Sequence, residues 1–222
     1  MDGVCETGPV TWLSPDRDVI DAYRNLRERV VGLLRSQPDE AGEIQVPACP
    51  AWTVRQLVAH MVGVPDDILA GRLEGVASDA WTDAQVGRLG RLPLDALADL
   101  FAEQASDFDS MLSRIPAPTN SQVVFDAVTH EHDLRHAIGK PAHRDSAAVT
   151  VGLGFMLQSA EGRHPGSADR LRALGLSDFE LLRSLSGRRS TEQLKAAGLT
   201  TGEISLLFAD LPVRPPIGDL HG

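Results

Sequence analysis

The sequence predicts a mainly α protein, a four-helix bundle followed by a short, mostly helical C-terminal extension. Three observations point there. Four segments of comparable length within residues 1–142 carry apolar residues at steps of three and four, the period of a helix with one buried face. The apolar residues are mostly Ala, Leu and Val, and aromatics make up only 5% of the 222 residues; that composition favours helices over a β-sandwich. No stretch in this half alternates convincingly as a strand.

The first helix spans Asp16 to Gln37, with Val19, Ile20, Tyr23, Leu26, Val30, Leu33 and Leu34 on one face. Pro38 ends it. A proline-punctuated loop, GEIQVPACPAW, follows. Thr53-Val54-Arg55-Gln56 reads as a capping box for the second helix, whose stripe is Val54, Leu57, Val58, Met61 and Val64. Pro65 lacks an N–H and clashes one turn back. A kink or break is expected there, with a second piece from Asp66 to Leu73 closed by Gly75. Thr82-Asp83-Ala84-Gln85 reads as another capping box, opening a short helix to Leu89. Pro93 suits the first turn of a long helix from Leu94 to Arg114.

Asn120 or Ser121 caps the fourth main helix, which runs to Ile138 before the stop pair Gly139 and Pro141. Beyond it, Ala147 to Ala160 reads as a helix with glycines in it, although Val149 to Val151 would also suit a strand. Ser167 to Leu174 is a short helix. Ser177 and Ser190 open two more capping boxes, and the tail VRPPIGDLHG reads as extended.

The charge balance excludes some functions. Lys and Arg number 21 against 31 Asp and Glu, a net −10. Gripping nucleic acid or an anionic membrane by bulk charge is not expected. No apolar run approaches the roughly 20 residues of a membrane span. MDGVCETGPV lacks the basic and apolar regions of a secretory signal, and the two cysteines, Cys5 and Cys49, suit a reducing compartment; a cytoplasmic location is expected. A monomer and a homodimer are equally compatible with the sequence.

Three of the seven histidines fall in Asp126-Ala127-Val128-Thr129-His130-Glu131-His132-Asp133-Leu134-Arg135-His136. Counted at about 100° per residue from Asp126, the apolar face centres near 100° and His130 lies near 40°. Asp126 and His130 are therefore one turn apart and aimed toward the bundle interior. Such a pair can place a carboxylate oxygen and an imidazole nitrogen on one metal ion. His132 and His136 lie near 240° and 280° on the far side, where a solvated face is expected. His60 sits on the flank of the second helix's stripe and is the candidate third ligand. Three ligands would leave an open position for water, thiolate or substrate. By spacing alone, a hydrogen-bonded core histidine and a surface Asp/His pair remain alternatives. Cys49 lies near a helix start, which can activate a thiolate, or it simply packs; Trp52 reads as packing. Arg188 and Arg189 suit either a substrate carboxylate or a solvated basic turn.

Two segments resemble the mycothiol-dependent maleylpyruvate isomerase family, within the DinB-like metalloprotein superfamily. Val46-Pro47-Ala48-Cys49-Pro50-Ala51-Trp52-Thr53-Val54-Arg55-Gln56-Leu57-Val58-Ala59-His60-Met61 resembles the family's "CPGWTVRDLVAHL". The run from Asp126 to Leu134 resembles its acid-x-x-x-His-x-x-Asp-Leu segment. The resemblance implies that His60, Asp126 and His130 are the metal ligands, the residues the helix geometry also selects. The acid is often Glu in the family, and the shorter Asp126 draws a metal closer to its helix. Asp178 to Ser190 resembles the family's "fELLRaLsGRRS" segment, which there follows a small α/β domain. Here the interval after Pro141 is short and helix-rich, so that domain is expected to be reduced.

The resemblance thus implies a DinB-like metal-binding bundle over 1–142 and a reduced C-terminal region over 143–222. It further implies a divalent metal, Zn²⁺, with mycothiol as thiol cosubstrate, acting on a small organic substrate. In the family reaction the thiolate adds to a conjugated double bond, the resulting single bond rotates, and the thiol is expelled. Related members transfer or conjugate the thiol. His60, Asp126 and His130 would hold the metal, Asp133 would orient a ligand imidazole, and Arg188 or Arg189 would bind a substrate anion. The donor set also suits Ni²⁺ and Fe²⁺. Two other functions remain open: a non-catalytic metal-binding or interaction module, and a metal hydrolase that needs no thiol.

Overall fold

The computed structural model describes residues 11–209 and 213–221. Cys5 and the rest of MDGVCETGPV lie outside them, as does the last residue of the tail. The described residues form eleven α-helices and no strand. No helix among them is long and apolar enough to cross a membrane.

Helix α1, Asp16–Arg35, carries Asp16 and Asp18 in its first turn and Arg35 in its last, which suits the helix dipole. Its buried Tyr23 ring packs 5.0 Å from Phe108 and 6.5 Å from Phe101. After a 3₁₀ turn at Asp39–Glu43, the proline loop is folded back onto the start of α2, Val54–Leu69. Arg55 ties the two together, donating to Asp39 (2.9 Å), Glu43 (3.0 Å) and the Leu92 carbonyl (2.9 Å).

Helix α2 is continuous through the buried Pro65 and ends at Leu69, so the expected break and the extension to Leu73 are both absent. The proline removes one ladder donor, but the turn beyond it is anchored by side chains. Asp67 Oδ1 accepts from Arg72 Nε and from Arg88 Nη2, each at 2.6 Å. The next helix, α3, is Asp79–Leu89 and is capped by Ser78, whose side chain accepts from the Trp81 N–H. The expected cap at Thr82 therefore falls inside the helix, and Gln85 turns into the core.

The long helix expected from Leu94 is divided at Gln104 into α4, Leu94–Glu103, and α5, Ala105–Leu112. No Gly or Pro marks the break. Asp109 of α5 clamps α1, accepting from Arg27 Nη1 and Arg24 Nε at 2.8 Å each. Burial pushes this carboxyl up, but Arg27 and Arg24 outweigh it and hold it below 3.8. A depressed carboxyl stabilises the fold above its unfolded pKa and loses that contribution as pH falls through the folded one. Asp109→Asn is expected to lower stability near pH 7 by about 1–3 kcal/mol and to flatten the acid limb of the curve below about pH 4. Thermal unfolding measured against pH checks this; an unchanged midpoint near pH 7 would count against the clamp.

Helix α6, Thr119–Ala137, has no side-chain cap; Asn120 and Ser121 are buried inside it, and Asn120 donates to Asp16 at 2.7 Å. Gly139 ends it at φ +66°. The expected solvated face is only partly there: His132 is buried, while His136 is half-buried. Helix α7, Ala147–Arg163, closes against one side of α6, and no strand forms at Val149. Its Gly152 permits the approach: a Cβ there would lie 2.9 Å from Val128 Cγ1 and 3.2 Å from the Phe125 Cα. Helix α9, Asp178–Leu185, reaches α6 through Phe179, whose ring packs 4.7 Å from that of His132. His132 is buried, and that burial pushes it down to about 4. Glu131 is buried too, and Arg29 (2.8 Å) and Arg135 (3.0 Å) neutralise it.

The extension continues through α8, Ser167–Arg172, and α10, Thr191–Ala196, to α11, Thr201–Phe208. The Ser190 box forms as expected. Helix α11 was not among the expected elements, although Thr200 and Glu203 form a complete capping box before it. One apolar core runs from Val19 to Phe208, so these helices pack on the bundle.

Candidate metal centre

The structure brings His60 of α2 together with Asp126 and His130 of α6. The Thr53 capping box sets the register: its hydroxyl accepts from the Gln56 N–H, and its own N–H donates to Gln56 Oε1 at 2.9 Å. Two turns later His60 faces α6. His60 Nε2 lies 3.4 Å from Asp126 Oδ2, and His130 Nε2 lies 3.6 Å from Asp126 Oδ1. The three donor groups lie within 4.8 Å of one another. Two ligands of a tetrahedral zinc, each about 2.1 Å from the ion, stand about 3.4 Å apart. The separations fit such an ion.

The outer nitrogens support the same fit. His60 Nδ1 is 2.8 Å from Gln85 Oε1, and His130 Nδ1 is 3.2 Å from Asp133 Oδ2. Each acceptor commits the outer nitrogen as a donor and leaves a lone pair on Nε2. Burial pushes Asp126 up, but His60 and then His130 outweigh it and hold the carboxyl at about 2. Burial likewise lowers His60, yet Asp126 and Gln85 raise it overall. The centre is thus an anion facing two imidazoles, a setting that attracts a cation. Trp52 walls it, with ring centroids 5.4 Å from His60 and 6.1 Å from His130. Both histidines are buried, while the Asp126 side chain is 38% exposed. The open side therefore lies at Asp126.

Asp133 is fully buried and links the centre to the C-terminal region. Its Oδ1 accepts from Arg183 at 2.7 Å and its Oδ2 from Arg188 at 2.8 Å. Arg188 also donates to the Ser186 carbonyl at 2.6 Å and approaches Cys49 Sγ at 3.6 Å. A substrate carboxylate at Arg188 would have to displace one of these partners. Arg189 points elsewhere, to Glu180 at 3.0 Å and the Leu220 carbonyl at 3.3 Å, where it holds the tail. Neither arginine forms a solvated turn.

Cys49, His130 and Asp133 make a second group with metal-ligand spacing. It suits a metal less well. Asp133 is already saturated by two guanidinium groups, and burial, followed by Asp133, pushes the Cys49 thiol up to about 11. That thiol stays protonated near neutral pH, so the helix start does not activate it. The sequence reading missed three residues here. Gln85 matched a cap pattern, Asp67 carried no signal, and Arg183 lay unremarked within the Asp178–Ser190 segment.

Searches of curated proteins and of solved structures found no match. The model of the mycothiol maleylpyruvate isomerase N-terminal domain matches residues 23–143. That stretch begins within α1, ends just past α6 and carries all three converging side chains; it is more than half of the chain, which therefore belongs to this family.

Proposed function

We propose that this protein is a metal-dependent enzyme that uses mycothiol to isomerise, or to transfer a thiol to, a small organic substrate. One observation carries the reading: both imidazoles are held by their outer nitrogens so that their Nε2 atoms converge on Asp126 at the open side of the centre. A divalent ion, Zn²⁺ by family, would supply a Lewis acid that favours the thiolate form of a thiol. His60, Asp126 and His130 would hold it. Trp52 excludes water from one side of the centre. Asp133 keeps the Nδ1 proton of His130 in place, and Arg188 keeps Asp133 ionised. Anion binding remains an assignment for Arg188 alone, in exchange with its present partners, because Arg189 is committed to the tail.

The test is spectroscopic. Co²⁺-loaded protein is expected to change its visible absorption when mycothiol is added, and His60→Ala to abolish the response. Co²⁺ that binds tightly but ignores mycothiol would sink the thiol reading. Turnover without thiol would then identify a hydrolase, and its absence a binding module.

A further inference from the structure

Gln85 is completely buried, yet it lies on a short surface helix. Its amide faces two partners of α2. Nε2 donates to Asp67 Oδ2 at 2.9 Å, and Oε1 lies 2.8 Å from His60 Nδ1. A carboxylate only accepts, so Asp67 decides which way the amide points. Asp67 is itself held by Arg72 and Arg88, which both donate to its other oxygen. Turning the amide over would set two oxygens against each other at Asp67. The oxygen therefore faces the imidazole.

An amide oxygen also only accepts. His60 Nδ1 must then carry the proton of the neutral ring, and Nε2 must carry the lone pair. We propose that Gln85 is a positioning residue that fixes His60 as the Nδ1–H tautomer and so directs Nε2 toward Asp126, with Gly63 as the residue that admits it. Gly63 lies one turn beyond His60 on α2. A Cβ there would stand 2.6 Å from Gln85 Cβ and 2.8 Å from its Cγ. Any side chain at position 63 pushes α3 outward and draws the amide away from His60.

The two imidazoles are thus oriented by different devices. His130 takes its acceptor from its own helix, three residues on. His60 depends on a second helix, brought in by a glycine and locked by a carboxylate with two arginines. No helical periodicity within α2 could supply this partner, because it is 25 positions away.

The consequence for metal affinity rests on the metal reading above; the proton assignment does not. Long-range ¹H–¹⁵N spectra of the metal-free protein, followed upward in pH until the His60 ring has lost its second proton, read the tautomer of the neutral ring directly; Asp126 and Gln85 raise that pH above the ordinary imidazole range. His60 is expected to show a protonated Nδ1 and a bare Nε2; a protonated Nε2 in the wild type would overturn the proposal. Zn²⁺ affinity, measured by competition with a chromophoric chelator, is expected to fall about 10–100-fold in Gln85→Met and in Gly63→Ala. Circular dichroism confirms that each variant is folded. Unchanged affinity in folded Gly63→Ala and Gln85→Met would also overturn it. A wild type that shows the Nδ1–H tautomer but binds no Zn²⁺ would remove the metal reading and leave the proton assignment standing.

Discussion

Replacing His130 with alanine is expected to strip the protein of its metal. Plasma mass spectrometry on untagged wild type should find close to one divalent ion per chain, as three convergent ligands require, and His130→Ala should hold almost none. The reason is geometric. His130 and Asp126 are one turn apart on α6, and His60 reaches them from α2. Without His130, one imidazole and a partly exposed carboxylate remain, and neither is chelated by its own helix. The fold should survive, because Asp133 keeps Arg183 and Arg188 after the ring is gone. Far-ultraviolet dichroism separates loss of metal from loss of structure. Metal retained by a folded His130→Ala would move the ion elsewhere, with the Cys49 group excluded too, since it shares this histidine. A metal-free wild type would remove the catalytic reading.

Asp133→Asn is expected to cost the most stability of any single change near the centre. Asp133 is fully buried and is the counter-charge for two arginines. Burial pushes it up, yet Arg188, His130 and Arg183 hold it well below the ordinary carboxylate range. Removing one partner of a buried ion pair costs about 3–5 kcal/mol, because the other charge stays behind. Arg183 is poorly placed to compensate: it is fully buried, and its Nε and Nη2 have no hydrogen-bond partner among the described residues. At roughly 2–4 °C per kcal/mol for a chain of this size, the melting point should drop by roughly 6–20 °C. Adding Arg183→Met should recover part of the loss, since an apolar side chain needs no counter-charge. Urea unfolding of both variants measures this; a loss below about 1 kcal/mol for Asp133→Asn would mean that water reaches the arginines.

Features that depend only on neighbours within a turn or two are legible in the order of the residues. The stripe of α1, the Thr53 box that starts α2 and the one-turn spacing of Asp126 and His130 are all local, and all appear in the structure as read. The family was legible for the same reason, since its two main motifs are continuous runs of chain: one is the loop into α2 with the first turns of that helix, and the other lies within α6. Tertiary packing decided the rest. The period of α6 alone turns His132 and His136 toward solvent; Phe179, 47 positions on, buries the first of them. Ser78 rather than Thr82 caps α3 because Gln85, the residue the Thr82 box required, is drawn inward by His60 and Asp67. Asp133 looked like a modest acceptor until α9 and the turn after it delivered two guanidinium groups. A hydrogen-bonded turn fixes the angle between residues four apart, so periodicity reports it. Which buried polar group meets which across two helices depends on how closely their backbones approach, and here a glycine on each of α2 and α7 sets that distance.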